Sequence, residues 1–303
     1  LGRVLYVFLI EKGDPLTGDA FYYHHAARLL ADGLGFTEPY RYLYGGSQEL
    51  LFINDPEIIT TTANTNLPVG HIEPTAGHPP LWVLFLGIIT FFGINSILGH
   101  QLFGALIGAL GVVAIGWTGK EIGGGRTGLI AATIAASYTF LWINDGLIMS
   151  ETLVIPLVAL LTGFTFRFKN HPSWKTTVIL GFLIGLATLT RAELGLFLPV
   201  SILLFLFSSD STFGEKIKRC GAISLVALMV LSPWVIRNLT SFDNPVLLSN
   251  GSGILIAQTN CNETYYGDKQ GYWEYLCGLP QPLDENGYPV DESVRDAEYR
   301  KRG

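Results

Sequence analysis

The chain has 303 residues, of which 49% are hydrophobic and only 15% are charged, and its mean hydropathy is +0.37. These values exclude an ordinary soluble domain of this length and indicate a polytopic membrane protein. The net charge of -6 comes from acidic residues concentrated in two polar segments, and the sequence has no basic arm or nucleic-acid-binding motif. Nucleic acid is therefore not expected as a partner.

The N-terminal run 1–10 is apolar and is interpreted as the end of a membrane span whose beginning is missing, since neither an initiator Met nor a complete signal peptide precedes it. The polar segment 14–78 follows, with eight acidic residues against Arg28 and Arg41. Because a loop of this length without hydrophobic periodicity is usually functional, we expect it to carry part of the site.

Within this segment, a short helix is predicted to start at Asp19 and to end near Gly33 and Gly35. One interpretation of Asp19 is an N-cap, whose carboxylate accepts the first free backbone N–H groups of the helix. The other is a reactive carboxylate at the membrane surface. The two roles are compatible, so the local sequence leaves both open.

The rest of the chain alternates uncharged runs with short charged connections. Three connections are basic and are placed in the cytoplasm, because cytoplasmic loops carry the excess of Lys and Arg. They are Lys120 with Arg126, then Arg167, Lys169 and Lys175, then Lys216, Lys218 and Arg219. The predicted spans between them are 98–117, 128–143, 151–166, 176–190, 194–207 and 220–236.

This topology places everything after Arg237 outside and leaves the run 80–93 without a crossing. We interpret 80–93 as a juxtamembrane or re-entrant helix on the outer face. The alternative is an ordinary span with one basic loop outside. The sequence Gly123-Gly124-Gly125 lacks the Lys-Ser/Thr of a phosphate-binding loop and is interpreted as a turn.

Three polar clusters fall on the outer side in this topology: Asn144–Glu151, Thr190–Glu193 and Trp234–Asn238. Charges at the edge of the hydrocarbon are costly and normally have a partner or a substrate. Arg191 and Glu193 alternatively form only a tight turn, with Arg191 extended to lipid headgroups. The spacing of five glycines predicts helix packing: Gly104, Gly108, Gly111, Gly181 and Gly185.

Five stretches of the sequence together carry a family resemblance. They are Gly18-Asp19 with Tyr22-Tyr23-His24, then Ala76-Gly77-His78-Pro79-Pro80-Leu81-Trp82, Ser150-Glu151-Thr152-Leu153, Thr190-Arg191-Ala192-Glu193 and Ser232-Pro233-Trp234-Val235-Ile236-Arg237-Asn238. In order and spacing they resemble the GT-C membrane glycosyltransferases. Within this group they are most similar to the branch that resembles dolichyl-phosphate-mannose protein mannosyltransferases, which is glycosyltransferase family 39. The tail, with Thr264–Trp273 and Asp291–Glu298, is similar to actinobacterial members.

The resemblance implies an all-α polytopic membrane protein with a GT-C transmembrane helix bundle. Residues 1–237 would form the catalytic module, with its first span truncated and an outer loop at about 14–97 carrying juxtamembrane helices. Residues 238–303 would begin an extracytoplasmic loop or domain that is also truncated, since relatives continue with further spans. A helix is expected at 291–302, capped by Asp291 or Ser293.

The resemblance also implies the reaction. A sugar would pass with inversion from a polyprenyl-phosphate-linked donor to a cell-wall glycan, lipid or protein acceptor, on the extracytoplasmic face of a bacterial plasma membrane. Asp19 would be the base that deprotonates the acceptor. Some relatives carry an Asp-Glu pair at this position, whereas Ala20 follows Asp19 here, so the acceptor class stays open.

Substrate binding is assigned to residues in the same stretches. The guanidinium groups of Arg191, Arg237 and Arg28 are candidates for the donor phosphate, because Arg presents a planar fork of donors. His78 would hydrogen-bond the phosphate or orient Asp19. Four further residues are assigned to the substrate site: Tyr22, Tyr23, Glu151 and Glu193.

The resemblance implies that the protein works without a cofactor or metal. A divalent ion held by Asp14, Asp19, His24 and His25 is the alternative, but adjacent histidines on a helix point about 100° apart and do not easily face one ion. His24 and His25 are therefore expected at the surface or the membrane interface.

Cys261 and Cys277 enclose a short aromatic loop and are expected to form a disulfide on an oxidising face, or else to be two free thiols. Two other functions are also considered for the chain: a polytopic membrane transporter and a non-catalytic lipid-binding membrane subunit. A transporter would show internal repeats or broken helices in matched halves. No such repeat is visible in the sequence, and neither function accounts for the long outer loop.

Overall fold

The computed structural model describes residues 1–13, 15–45, 69–208, 211–274, 277, 282–285 and 288–303. Over these ranges the chain is helical and forms no β-strand, with two isolated bridges, Thr37 with Pro74 and Leu283 with Pro289. The all-α class predicted from the sequence is confirmed. Asp14, Glu49, Asp55 and Glu57, which the sequence places in the polar segment, lie outside the described residues.

The chain divides into two compact units. The first unit contains residues 1–28 and 79–233, and the second contains 29–78 and 234–303. The sequence-based division at 237 differs from this, because residues 29–78 group with the C-terminal segment and not with the spans. In the second unit, the Glu292 carboxylate accepts hydrogen bonds from Thr75 Oγ1 and from the Ala76 backbone N–H, which ties the two segments together.

The first unit is built from long apolar helices joined by short connections. Its helices are α1 (Gly2–Tyr6, continued by a π-turn at Val7–Glu11), α2 (Gly18–Ala31, up to Arg28), α4 (Leu81–Phe91), α5 (Ile97–Ser137), α6 (Ile143–Gly146), α7 (Glu151–Asn170), α8 (Trp174–Thr188), α9 (Phe197–Ser208) and α10 (Phe213–Ser241, up to Pro233).

The second unit contains shorter helices and irregular segments. Besides the ends of α2 and α10, it has α3 (Pro39–Tyr44), α11 (Ser252–Thr259), α12 (Asn262–Tyr265) and α13 (Glu292–Arg302). Helix α13 starts as predicted, because the Asp291 side chain accepts from the Ser293 backbone N–H at 2.8 Å. It packs on α11, where the Gly253 backbone N–H donates to Asp296 at 2.6 Å.

Helix α5 is a hairpin of two arms that reverse direction at Gly124. This residue has φ 82° and ψ -179°, a conformation essentially restricted to glycine. A Cβ added at Gly116 would lie 3.0 Å from the Ala132 Cβ, although a straight helix would separate these residues by about 24 Å. The turn predicted from the three consecutive glycines is therefore confirmed, and small residues line the contact between the arms.

In the part of the chain that the structure describes, three helices are long and apolar enough to cross a membrane: α5, α7 and α10. Helix α4 has 11 residues, which gives a length of about 17 Å against a hydrocarbon core of about 30 Å. A helix of this length does not cross the bilayer alone, which agrees with a juxtamembrane or re-entrant position for 80–93. That topology stays a prediction.

The run predicted as a span at 128–143 is not one helix. The second arm of α5 ends at Ser137 and is followed by a 3-10 turn at Thr139–Leu141 and by α6. Arg3 donates to the Leu141 carbonyl oxygen at 3.2 Å and forms an ion pair with Asp145. Arg3 thus contacts a backbone carbonyl and a buried carboxylate in this segment. The single helix that hydropathy alone predicted here is not formed.

Four of the five glycines predicted to mediate packing lie against the backbone or apolar side chains of another helix, and Gly108 does not. A Cβ at Gly181 would lie 2.7 Å from the Ile223 carbonyl oxygen, so α8 and α10 approach closely. Gly111 faces Pro156 of α7. Gly108 faces the Arg3–Asp145 ion pair, so at this position the glycine makes room for a polar contact and not for another span.

Candidate active site

Asp19 lies in the first turn of α2 and is exposed. The helix begins at Gly18, so Asp19 lies within its first turn and is not the residue that precedes the helix, as an N-cap would be. A carboxylate in the first turn still interacts favourably with the free N–H groups of the helix. Its exposure leaves it accessible to a substrate from outside the helix.

One turn further along α2, the side chain of Tyr23 is almost completely buried, with 3% exposed. Burial raises the pKa of its phenol above the ordinary value, a hydrogen bond with Ser150 opposes this, and the carboxylates of Asp19 and Glu151 raise it further. The Arg191 guanidinium acts in the lowering direction. Charged residues far apart in the chain therefore act electrostatically on one hydroxyl.

Arg191 forms ion pairs with two of the predicted site residues. Its Nη1 atom lies 2.5 Å from Glu151 Oε1 and its Nε atom 2.8 Å from Glu193 Oε1. Burial acts to lower the Arg191 pKa, but the two carboxylates outweigh it and hold the pKa above its usual value. The side chains of Arg191 and Glu151 remain 40% and 33% exposed, and ion pairs at this exposure contribute only about 0–1 kcal/mol. An incoming anion can therefore replace a carboxylate at small cost.

The loop before Glu151 is held by Trp82, from the His78–Trp82 stretch. The fully buried Trp82 donates its indole N–H to the Ile148 carbonyl oxygen at 3.0 Å. Ile148 has φ 56°, which is an outlier for a β-branched residue, and its side chain is also fully buried. The sequence did not predict that Trp82 and Ile148 support the loop before Glu151. Only the presence of Trp82 in a family motif indicated that this residue matters.

The start of the same helix fixes the segment that carries Arg191. The Leu81 backbone N–H donates to the Leu189 carbonyl oxygen at 2.9 Å, where α8 ends. Arg191 then adopts an extended conformation, and a 3-10 turn follows at Ala192–Leu196. Helix α4 thus contacts both loops that present charged groups, the one before Glu151 and the one before Arg191.

Tyr22 is buried beside Tyr23, with their ring centroids 5.8 Å apart in an edge-to-face arrangement. Arg28 lies elsewhere on α2. Nine residues after Asp19, it is about 14 Å further along the axis and on the opposite face of the helix. The structure therefore does not place Arg28 with Asp19, Glu151 and Arg191. Burial is the main cause that lowers the pKa values of His24 and His25, and the positive charge of Arg28 lowers both of them further.

His24 is buried and not at the surface, so the expectation for this residue is wrong. Its Nδ1 atom lies 3.1 Å from His100 Nδ1, and His100 Nε2 lies 2.9 Å from the Thr90 hydroxyl. Burial first, and then His100, His25 and Arg28, lower the His24 pKa to about 3, so the imidazole is neutral. His25 is half-buried, and its ring contacts the Phe21 ring in a tilted arrangement with 4.2 Å between the centroids.

Arg237 and His78 belong to the second unit, where Arg237 organises the backbone. Its guanidinium donates to the carbonyl oxygens of Thr75 and Phe36, each at 2.9 Å. It also lies over the Trp234 and Phe242 rings, 5.0 Å and 5.4 Å from their centroids. These contacts give Arg237 a structural role, and phosphate binding by it stays a prediction. His78 is half-buried.

Cys261 and Cys277 are joined by a disulfide, and Cys220 is a free thiol. Among the described residues, one group has donor atoms spaced for a metal ion, namely Cys261, Glu263 and Cys277. Its two sulfur atoms are bonded to each other, so they do not supply thiolate ligands. Asp14, a proposed ligand in the metal alternative, lies outside the described residues.

Comparison with known proteins identifies the family. The family model described as dolichyl-phosphate-mannose-protein mannosyltransferase matches residues 77–236, which is more than half of the chain. No curated protein and no solved structure matches. The matched range includes Trp82, Glu151 and Arg191, whereas Asp19 precedes it. The chain belongs to the dolichyl-phosphate-mannose-protein mannosyltransferase family and is an integral membrane glycosyltransferase of the GT-C type.

Proposed function

We propose that this glycosyltransferase moves a sugar from a polyprenyl-phosphate-linked donor to an acceptor hydroxyl on the extracytoplasmic face of a bacterial plasma membrane, with inversion at the anomeric carbon. The acceptor is a cell-wall glycan, a lipid or a protein. The observation that carries the proposal is the ion pair of Arg191 with Glu151. These two groups and the Asp19 carboxylate all act on the pKa of the buried Tyr23 phenol.

The proposed chemistry assigns separate tasks to the acid and the cation. Asp19 accepts the proton of the acceptor hydroxyl as its oxygen bonds to the anomeric carbon. The bond between that carbon and the phosphate oxygen breaks on the opposite side, and polyprenyl phosphate leaves with the bonding electrons. Since the phosphate is already a good leaving group, the protein needs a base and a stabilising cation and no separate general acid.

Arg191 is the cation that we assign to the departing phosphate. Its planar guanidinium presents paired N–H donors, which suit phosphate oxygens. It is paired with Glu151 and Glu193 in the structure, and the partial exposure of these pairs makes their exchange for phosphate inexpensive. Glu151 then holds the guanidinium in position until the donor arrives.

The positions of charges along the helices support an extracytoplasmic site. Helix α7 has 20 residues, about 30 Å, with Glu151 at its start and Arg167 and Lys169 in its last turn. Helix α8 begins near Lys175 and ends just before Arg191. The basic residues and the site residues thus occupy opposite ends of the same helices. If the basic ends face the cytoplasm, the site faces outward.

The test is transfer of radiolabelled sugar from a polyprenyl-phosphate mannose donor, and from a panel of other polyprenyl-phosphate sugars, in membranes that contain the protein. Asp19→Asn should abolish transfer while leaving expression and donor binding unchanged, because the amide cannot accept the acceptor proton. Asp32→Asn is the matched control, since Asp32 is also exposed and lies just after the same helix. Transfer by Asp19→Asn at the wild-type rate would remove the assignment of the base.

A further inference from the structure

The second unit has an aromatic cavity beside its disulfide bond, and the proposed reaction does not use it. Its volume is about 570 Å³, within the roughly 300–1,000 Å³ that is typical of small-molecule sites. It is lined by Thr259, Thr264, Tyr265, Gln270, Gly271, Tyr272 and Trp273. All of these residues lie in one short stretch of the chain, so the cavity belongs to this unit alone.

The aromatic side chains of the cavity are unusually exposed. Tyr265 is 51% exposed, Tyr272 is 74% exposed and Trp273 is 57% exposed. Aromatic side chains of this size usually bury a large apolar area in the folded protein. Exposed aromatic groups that gather in one place mark interaction sites more often than scattered ones do. Their rings present faces with negative charge density to whatever enters the cavity.

Hydrogen bonds and a disulfide hold the backbone around these rings. The buried Thr264 donates its hydroxyl to the Thr259 carbonyl oxygen at 3.0 Å, and its own carbonyl accepts from the Gly271 backbone N–H at 3.2 Å. Gly271 has φ 81°, which allows the turn that precedes Tyr272. The Cys261–Cys277 disulfide closes the loop. A preorganised site binds with a smaller entropy cost than a mobile one.

We infer that this cavity binds a pyranose unit of a neutral glycan. The axial C–H groups of a pyranose carry partial positive charge and stack on the negative faces of Trp and Tyr rings. Gln270 and Thr259 supply an amide and a hydroxyl at the wall of the cavity, and such groups donate to and accept from sugar hydroxyls. The site is a binding site and not a catalytic one, and the inference does not depend on the proposed transfer reaction.

The charges near the cavity favour a neutral glycan over a lipid surface. Aromatic residues also occur at membrane interfaces, where basic neighbours attract anionic lipid headgroups. Here the stretch 263–274 carries Glu263, Asp268 and Glu274 against Lys269, so it repels an anionic surface. An uncharged sugar meets no such repulsion.

Equilibrium binding of mannotriose and of cellotriose to the full chain in detergent micelles tests the inference, measured by saturation-transfer NMR and by titration without any sugar donor. We expect at least one of the two trisaccharides to bind. Trp273→Ala and Tyr272→Ala should each weaken that binding by at least tenfold, and Trp273→Phe should keep it within about threefold because a stacking face remains. Tyr266→Ala is the matched control, since Tyr266 is 86% exposed in the same loop but does not line the cavity.

The inference is overturned if neither trisaccharide binds, or if Trp273→Ala binds as tightly as the wild type. It is also overturned if Tyr266→Ala weakens binding as much as Tyr272→Ala. Flotation with vesicles of anionic lipid provides the competing outcome, in which Trp273→Ala reduces vesicle association and no sugar binds. Because no donor is present, these results are independent of whether Asp19→Asn loses transfer activity.

Discussion

At the scale of single residues, the geometry near Glu151 depends on two side chains that carry no charge. Ile148 adopts a left-handed conformation that costs about 1–3 kcal/mol for a non-glycine residue. Full burial of its side chain and the indole hydrogen bond from Trp82 offset this cost. The backbone conformation before Ser150 and Glu151 is therefore maintained by packing, which leaves the polar groups free to meet Tyr23 and Arg191.

Trp82→Phe should destabilise the protein by about 1–3 kcal/mol, because the buried Ile148 carbonyl loses its hydrogen bond while a ring remains in place. Thermal unfolding in detergent measures the effect. Trp174→Phe is the control, since Trp174 is half exposed and a Phe ring can still pack under Arg219; we expect a change below about 0.5 kcal/mol. Equal destabilisation of the two variants would contradict the role of the Trp82 hydrogen bond.

Arg191→Ala should lower the rate of sugar transfer by about 100-fold or more, because the departing phosphate loses its cation. Arg191→Lys should retain part of the activity, since it keeps the charge without the planar fork of donors. The transfer assay with labelled donor measures both. Arg167→Ala, which removes an exposed Arg from its ion pair with Glu121, should transfer sugar at nearly the wild-type rate. An active Arg191→Ala variant would exclude Arg191 as the phosphate ligand.

At the scale of elements, the α5 hairpin depends on one residue that permits the reversal and several that permit close approach. Gly124 supplies the conformation of the turn. Gly116, Gly119 and Gly128 leave room between the arms, since a Cβ at Gly119 would lie 3.0 Å from the Ala131 Cβ. In a membrane, where helices associate mainly through packing, this contact gives the hairpin its stability.

Gly124→Ala should destabilise the hairpin by about 1–3 kcal/mol, because an Ala Cβ is strained at this positive φ even though no neighbouring atom would touch it. Gly125→Ala is the matched control. No atom lies near a Cβ there either, but the backbone is helical, so Ala should be neutral or stabilising by up to about 1 kcal/mol. Unfolding in detergent compares the two variants, and a similar loss for both would show that the turn does not depend on φ.

At the scale of the whole molecule, the second unit encloses more negative than positive charge. Glu38, Glu73 and Glu292 influence one another's environment together with Arg41 and Arg295. Burial, opposed by the Arg41 backbone N–H, raises the Glu38 pKa to about 7, with Glu292 and Glu73 adding to the rise. Protonation of Glu38 removes one buried negative charge from beside Glu292 and Glu73.

The second unit should therefore lose stability as the pH rises from about 4.5 to about 7. In this pH window the folded state binds more protons at Glu38 than the unfolded state does. The contribution of Glu38 to the free energy of unfolding is therefore fully present at low pH and is lost as the pH rises through the pKa of Glu38 in the folded state. The loss is at most about 3 kcal/mol. Hydrogen exchange at α3 and α13, corrected for intrinsic rates, measures it.

Glu38→Gln should flatten this pH dependence, because the amide oxygen can still accept from the Arg41 N–H without a charge. Glu298→Gln serves as the control, since Glu298 forms an exposed pair with Lys301. Its profile should match that of the wild type. A Glu38→Gln profile with the wild-type slope would assign the dependence to another group.

The α13 cap and the site residues on α2 show how far sequence reasoning reaches. Asp291 caps its helix as predicted, because a cap depends on residues within one turn. Arg28 was expected to join the phosphate-binding group, yet helical geometry alone places it on the face of α2 opposite Asp19. The His24 error has another origin, since its burial depends on His100, which a local pattern cannot predict.

The sequence by itself determined the all-α membrane class, the reversal at Gly124, the separation of basic and polar helix ends, and the family motifs. These properties follow from composition and from residues close together in the chain. Only the tertiary structure decided that residues 29–78 join 234–303, that Arg237 binds backbone carbonyls, and that Trp82 supports the loop before Glu151. The reason is that hydrogen bonds and packing between distant residues depend on the paths of several segments at once, and hydrophobic periodicity records only the local preference of each.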